Sequence, residues 1–122
     1  MAKTILVADD NPYIRKALCR LFETEEDYDL CAQAENGKQA IELALQCRPD
    51  LIILDSSMPV MNGLEAARQL KRLMPSIPII LFSLHEHPLM ASAAGEDFPV
   101  DRIVSKTDAS ALMNHVRALA PA

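Results

Sequence analysis

The sequence predicts an α/β fold: a five-stranded, mostly parallel sheet, doubly wound and flavodoxin-like, with strand order 2-1-3-4-5. Three observations carry this. Strand-length apolar runs recur five times along the 122 residues. Segments with apolar residues at helical spacing alternate with them, which demands right-handed crossovers and parallel strands. The runs are also continuous rather than alternating, as in strands covered on both faces. With 50% hydrophobic and 24% charged residues, residues 1–122 are expected to form one domain with a sizeable core.

The elements follow in order. Thr4 to Ala8 is a buried strand ending in Asp9-Asp10. Asn11 supplies an N-cap and Pro12 the first helical position, where its missing N–H is no loss. Ile14, Ala17, Leu18, Leu21 and Phe22 then form one apolar helix face. Tyr28 to Ala34 reads as the second strand, Glu35-Asn36-Gly37 as a turn, and Lys38 to Cys47 as a helix with Ala40, Ile41, Ala44 and Leu45 inward. Pro49-Asp50 breaks it before the third strand, Leu51 to Leu54, which ends in Asp55. Gly63 to Met74 is a helix with Leu64, Ala67, Leu70 and Met74 inward, stopped by Pro75. Ile77 to Phe82 is the fourth strand. Ser83 to Pro99 is irregular, with a short helix expected from Pro88 to Ala94 and Gly95 as its cap. Asp101 to Ser105 is the fifth strand, and Thr107 caps a last helix with Leu112, Val116 and Leu119 inward.

Ligands of such sheets sit beyond the carboxyl ends of the strands, where strand order reverses. Here that point lies between strands one and three, so Asp9, Asp10 and Asp55 converge there. Three like charges at such range need compensation, and a hard divalent cation with an all-oxygen shell, Mg²⁺, fits. Ser83 after strand four and Lys106 after strand five add a hydroxyl and a fixed positive charge at the same edge. The set suits an incoming phosphoryl group, whose spread negative charge needs cationic and donor contacts. Any one of these residues alone would read as a cap or turn former; their joint placement at four strand ends reads as a site.

These residues also resemble the receiver domain of two-component response regulators, over essentially the whole chain. The resemblance is carried by Asp9-Asp10, by the run Asp55-Ser56-Ser57-Met58-Pro59-Val60-Met61-Asn62-Gly63, by Ser83 and by Lys106. It implies that Asp55 is the phosphoacceptor, taking a phosphoryl group from the phosphohistidine of a sensor histidine kinase or phosphotransfer protein. It implies that Asp10, Asp55 and the backbone carbonyl of Ser57 bind Mg²⁺, with Asp9 acting through a water. Lys106 would pair with phosphoryl oxygens. Ser83 would move onto the phosphoryl group and alter an output face built from the expected 88–94 helix, strand five and the last helix. An effector domain or a second copy would dock there.

The chain departs from the family pattern in three places. Ile103 stands where the family usually has Tyr or Phe, so the usual aromatic swing is not expected. Phe98-Pro99-Val100-Asp101-Arg102 replaces the usual small-residue approach to strand five. Thr107 replaces a frequent proline after the lysine, so a trans bond is expected. A second reading is therefore a phosphorylation-independent interaction module on the same fold.

Other classes fit less well. Seventeen acidic against twelve basic residues, net charge −5, provide no basic stripe for nucleic acid. A glycine-rich phosphate loop after strand one is lacking. Aspartyl-phosphate hydrolases carry a second acid two residues after the nucleophile of strand one, whereas Asp10-Asn11 follow Asp9 here. No apolar run spans a bilayer and no secretory signal opens the chain, so a cytoplasmic location is expected. Cys19, Cys31 and Cys47 show no metal or scaffold spacing and read as small, mostly buried thiols. His85 is expected at the pocket mouth, His85 and His87 make a weak metal pair, and His115 reads as a partly exposed surface residue. Met58 and Met61 are expected to serve packing.

Overall fold

The computed structural model describes residues 2–84 and 99–122. Along the chain run β1 (Lys3–Ala8), α1 (Pro12–Glu23), β2 (Tyr28–Ala34), α2 (Gly37–Cys47), β3 (Leu51–Asp55), α3 (Gly63–Leu73), β4 (Ile79–Ser83), β5 (Arg102–Ser105) and the last helix, α4 (Ala109–Leu119). All neighbouring strands pair in parallel, in the order β2-β1-β3-β4-β5. The sequence-derived topology is thus the observed one. The helix expected from Pro88 to Ala94, its Gly95 cap, and the histidines at 85 and 87 lie outside the described residues.

The strands feed two cores because successive side chains point to opposite faces. Leu6, Ala8, Ile52, Leu54, Ile79 and Leu81 pack with Ala40, Ala44, Ala66, Ala67 and Leu70 of α2 and α3. Ile5, Val7, Leu51, Ile53, Ile80 and Phe82 pack with Leu18 and Phe22 of α1 and with Leu112, Met113 and Val116 of α4. Each fully buried aliphatic contributes about 1.5–3 kcal/mol relative to exposure. Tyr28 is buried with its hydroxyl satisfied, donating to the Ala120 carbonyl at 2.7 Å and tying the start of β2 to the end of α4.

Asparagine caps open the three helices that follow β1, β2 and β3. The side-chain oxygens of Asn11, Asn36 and Asn62 accept from the amides of Tyr13, Gln39 and Glu65 at 2.8–2.9 Å. Two expectations are corrected. Leu45 is 44% exposed rather than inward, because the buried stripe of α2 is the narrow one through Gly37, Ala40 and Ala44. Thr107 does not cap the last helix: its hydroxyl lies 2.7 Å from that of Ser105, and Asp108 stands at the N-cap position. Strand ends differ by a residue or two, and Asp101 precedes β5 instead of joining it. Its carboxylate accepts from the Ile79 amide and the Lys71 ammonium, both at 2.8 Å, which anchors the entry to β4. Met58 is buried in the first core and Met61 packs against it, as expected of packing methionines. His115 is half-buried, and there is no cis peptide among the described residues.

Candidate functional site

The carboxyl ends of β1, β3, β4 and β5 enclose a cavity of about 400 Å³. It is lined by Asp9, Asp10, Asn11, Asp55, Ser56, Ser57, Ser83, Leu84 and Lys106. Asp9, Asp10, Asp55, Ser57, Ser83 and Lys106, the residues that the sequence assigns to phosphoryl and Mg²⁺ chemistry, are all in this lining. Asp9, Asp10 and Asp55 each offer a carboxylate oxygen, and these oxygens lie within 4.8 Å of one another. Strand register produces the convergence: Ala8 of β1 pairs with Leu54 of β3, so the aspartates that follow them meet at the same edge.

Lys106 is the one cation among the described lining residues. Its ammonium sits 2.7 Å from Asp9 Oδ2 and 3.1 Å from Asp55 Oδ1, with all three side chains buried. Asp9 Oδ2 accepts no hydrogen bond of regular geometry among the described residues, so the lysine charge is its compensation. The other Asp9 oxygen accepts from the Asn11 amide at 2.9 Å. Asp10 is exposed and makes no hydrogen bond or ion pair among the described residues, which leaves its oxygens available. Burial pushes the Asp55 carboxyl up from its ordinary 3.8 to about 6, and the Asp9 charge adds to this; Lys106 and the Ser57 amide pull the other way. Burial alone would lower the Lys106 amine, but its bonds to Asp9 and Asp55 raise it overall.

Three carboxylates against one ammonium leave a deficit of two positive charges when all ionise. The donors are all oxygen, and one of the carboxylates faces solvent uncommitted. That set fits a hard divalent cation held by few protein ligands and several waters.

The loop from Ser56 to Asn62 is held over the site by two close backbone approaches. A Cβ on Gly63 would lie 2.0 Å from the Asp55 carbonyl oxygen, and one on Gly37 would lie 2.5 Å from that of Met61. The Gly37 amide donates to that same Met61 oxygen at 2.9 Å. Between them Val60 adopts φ 69°, with the Met61 amide donating to the Pro59 carbonyl at 2.7 Å. A β-branched residue in this region is strained, and such strain persists only where the surroundings enforce it.

Two features escaped the sequence reading. Ser56 places its hydroxyl 2.9 Å from that of Ser83, linking the ends of β3 and β4. The pairing of Asp55 with Phe82 would have indicated it, had the register been known. Arg15 donates to the Asp9 carbonyl at 2.6 Å and pairs with Glu35, bracing the β1–α1 turn from outside. Ile103, in place of the resembled family's aromatic, is 40% exposed on β5.

A family model, the response regulator receiver domain, matches residues 5–117. The transcriptional regulatory protein DegU of Brevibacillus brevis is 30% identical over 122 residues, covering 95% of this chain and 49% of that protein. The response regulator TrrA of Thermotoga maritima, solved in complex with Mg²⁺ and a beryllium fluoride, is 32% identical with a TM-score of 0.84, over 96% of this chain and 98% of that one. The response regulator domain of CheB from the same organism superposes with a TM-score of 0.88 at 23% identity, covering 100% of this chain and 98% of that one, a likeness of fold. The chain spans between a fifth and a half of the length of the curated relatives it matches. Fold, strand order, the acidic pocket and the family match agree: the chain belongs to the response regulator receiver domain family.

Proposed function

We propose that this receiver domain, expected to comprise residues 1–122, is a phosphoacceptor whose nucleophile is Asp55. The carrying observation is the Lys106 ammonium bridging Asp9 and Asp55 at the edge where Asp10 lies free and exposed. Asp55 Oδ attacks the phosphorus of a phosphohistidine on a sensor kinase or phosphotransfer protein. The new O–P bond forms as the N–P bond breaks, and the imidazole leaves with the electron pair and takes a proton from solvent. Asp10, Asp55 and the Ser57 carbonyl would hold Mg²⁺, and Asp9, with both oxygens engaged, would reach it through a water. That ion, when bound, supplies charge that offsets the three carboxylates and the arriving phosphoryl oxygens.

The residues then divide the work. Lys106 already lies against Asp55 and can follow its charge onto the phosphoryl oxygens. Ser83, now against Ser56, can turn its hydroxyl to the same group. Phosphorylation so favours one arrangement of the β4 end over another, a population shift. The output would pass to an effector domain or a second copy on the face carrying β5 and α4. The relative DegU, a transcriptional regulator, supports an effector of that kind. The reading places the protein in the cytoplasm, beside the kinase that supplies it. No helix of the described residues is long and apolar enough to cross a membrane.

The exposed Ile103 favours the second reading, an interaction module that does not depend on phosphorylation. Acetyl phosphate with and without Mg²⁺ separates them. One base-labile phosphoryl group should appear on the wild type only with Mg²⁺, and Asp55→Asn should take none. A wild type that binds Mg²⁺ yet stays unmodified supports the second reading.

A further inference from the structure

Outside the acidic pocket, the fold brings together two nucleophiles that lie 16 residues apart in the chain. Cys31 Sγ on β2 and Cys47 Sγ at the end of α2 lie 3.0 Å apart. Both are half-buried, where the sequence predicts small, mostly buried thiols, and both are free. A sheet irregularity creates the approach. The pairing of β1 with β2 steps from Ile5–Leu30 to Leu6–Ala32, which leaves Cys31 as the extra residue of a bulge. Bulges re-aim a side chain, and this one sends Cys31 into the layer of α2, where it packs with Cys47 against the first core. Cys19 lies across the sheet, beside Phe22 and Tyr28 of the other core.

We propose that Cys31 and Cys47 are a thiol–disulfide modification site, closed into an intramolecular bridge between β2 and α2 by exchange with a small-molecule disulfide. Closing the gap to a bond of about 2.05 Å asks each sulfur to move only about 0.5 Å. The order of steps follows from the surroundings. Burial and the contact with Cys47 push the Cys31 thiol up to about 12, so Cys31 is the poorer first attacker. The Cys47 thiolate therefore attacks the small disulfide R–S–S–R, forming Cys47–S–S–R and releasing R–S⁻. The Cys31 sulfur then attacks Cys47 Sγ, the second R–S⁻ departs with the electron pair, and the proton of Cys31 passes to it. Two protein thiols are oxidised and one small disulfide is reduced to two thiols.

The bridge would pin the edge strand β2 to the helix that covers it, constraining the unfolded chain across a short loop. The site lies toward the amino ends of the strands, away from the acidic pocket, so it need not alter phosphoryl uptake.

The test uses Cys19→Ser protein, which keeps only the pair, incubated with glutathione disulfide at mildly alkaline pH. Closure is expected to consume both thiols with a mass loss of about 2 Da and no glutathione retained. Trypsin should then release the peptide holding Cys31 joined to that holding Cys47, separable by dithiothreitol. The bridged form should melt about 10 °C higher than the reduced form. Adding Cys31→Ser should leave one stable glutathione adduct on Cys47. Adducts that persist on both cysteines of the Cys19→Ser protein, bridges only between molecules, or a bridged form that melts lower than the reduced one would each overturn the proposal.

Discussion

Replacing Asp55 by Asn should make the protein more stable at neutral pH, and the gain should shrink as the pH falls. The folded carboxyl titrates near 6 against 3.8 for the unfolded chain. Between those values the folded state holds more protons, so each rise in pH costs stability until the folded carboxyl has ionised. Two pH units at about 1.4 kcal/mol each set a penalty of about 3 kcal/mol at pH 7.5 for wild type. The same titration leaves about half of it at pH 5. Asn has the shape of Asp but never ionises, so Asp55→Asn should recover about 2–3 kcal/mol at pH 7.5 and about 1 kcal/mol at pH 5. Urea unfolding with a chelator present, repeated every half pH unit, reads this as a gap between midpoints that widens with pH at constant slope. Saturating Mg²⁺ should narrow the gap at pH 7.5, because the cation stabilises only the carboxylate form. An Asp55→Asn variant no more stable than wild type at pH 7.5, or a gap independent of pH, would refute the claim that burial, with the Asp9 charge added to it, raises the Asp55 carboxyl in this pocket.

Lys106→Met keeps the apolar stem near the Phe82 ring but removes the charge that serves two buried carboxylates. It should cost about 3 kcal/mol in urea unfolding at pH 7 and less at pH 5, where Asp55 takes up a proton instead. Val60→Gly should do the opposite at the loop above the site. The side chain is 78% exposed, so its loss forfeits no packing, and glycine accepts φ 69° without strain. A gain of about 0.5–1 kcal/mol in the same assay is expected, the unfolded chain's added freedom offsetting part of the relief.

What was legible in the residues, and what was not, divides along the register of the sheet. Strands such as Leu51 to Leu54 read plainly because an unbroken apolar run of that length has few other uses. Five of them alternating with helices leave one common topology, and the switch point of that topology names the site before any coordinate is known. Contacts that depend on a shift of one residue could not be read this way. Nothing in Tyr-Asp-Leu-Cys-Ala-Gln-Ala betrays a bulge at Cys31, because β2 is an edge strand whose apolar residues alternate only weakly. Leu45 adjoins Ala44 on the helical wheel, yet the buried stripe of α2 runs only through Gly37, Ala40 and Ala44 and leaves Leu45 outside it. Thr107 and Asp108 are equally good capping types, and the contact of Thr107 with Ser105 decides between them. The Asp9-Asp10 pair lies on the same boundary. Both positions were legible as acids at a strand end, but the alternation of the pleat determines that Asp9 turns inward to Lys106 while Asp10 faces solvent. That division, one carboxylate spent on the lysine and its neighbour left free, makes the pair more than a doubled charge. Asp10→Asn should therefore weaken Mg²⁺ binding, read by calorimetric titration, while leaving the Lys106 contacts intact, whereas Asp9→Asn should disturb the lysine.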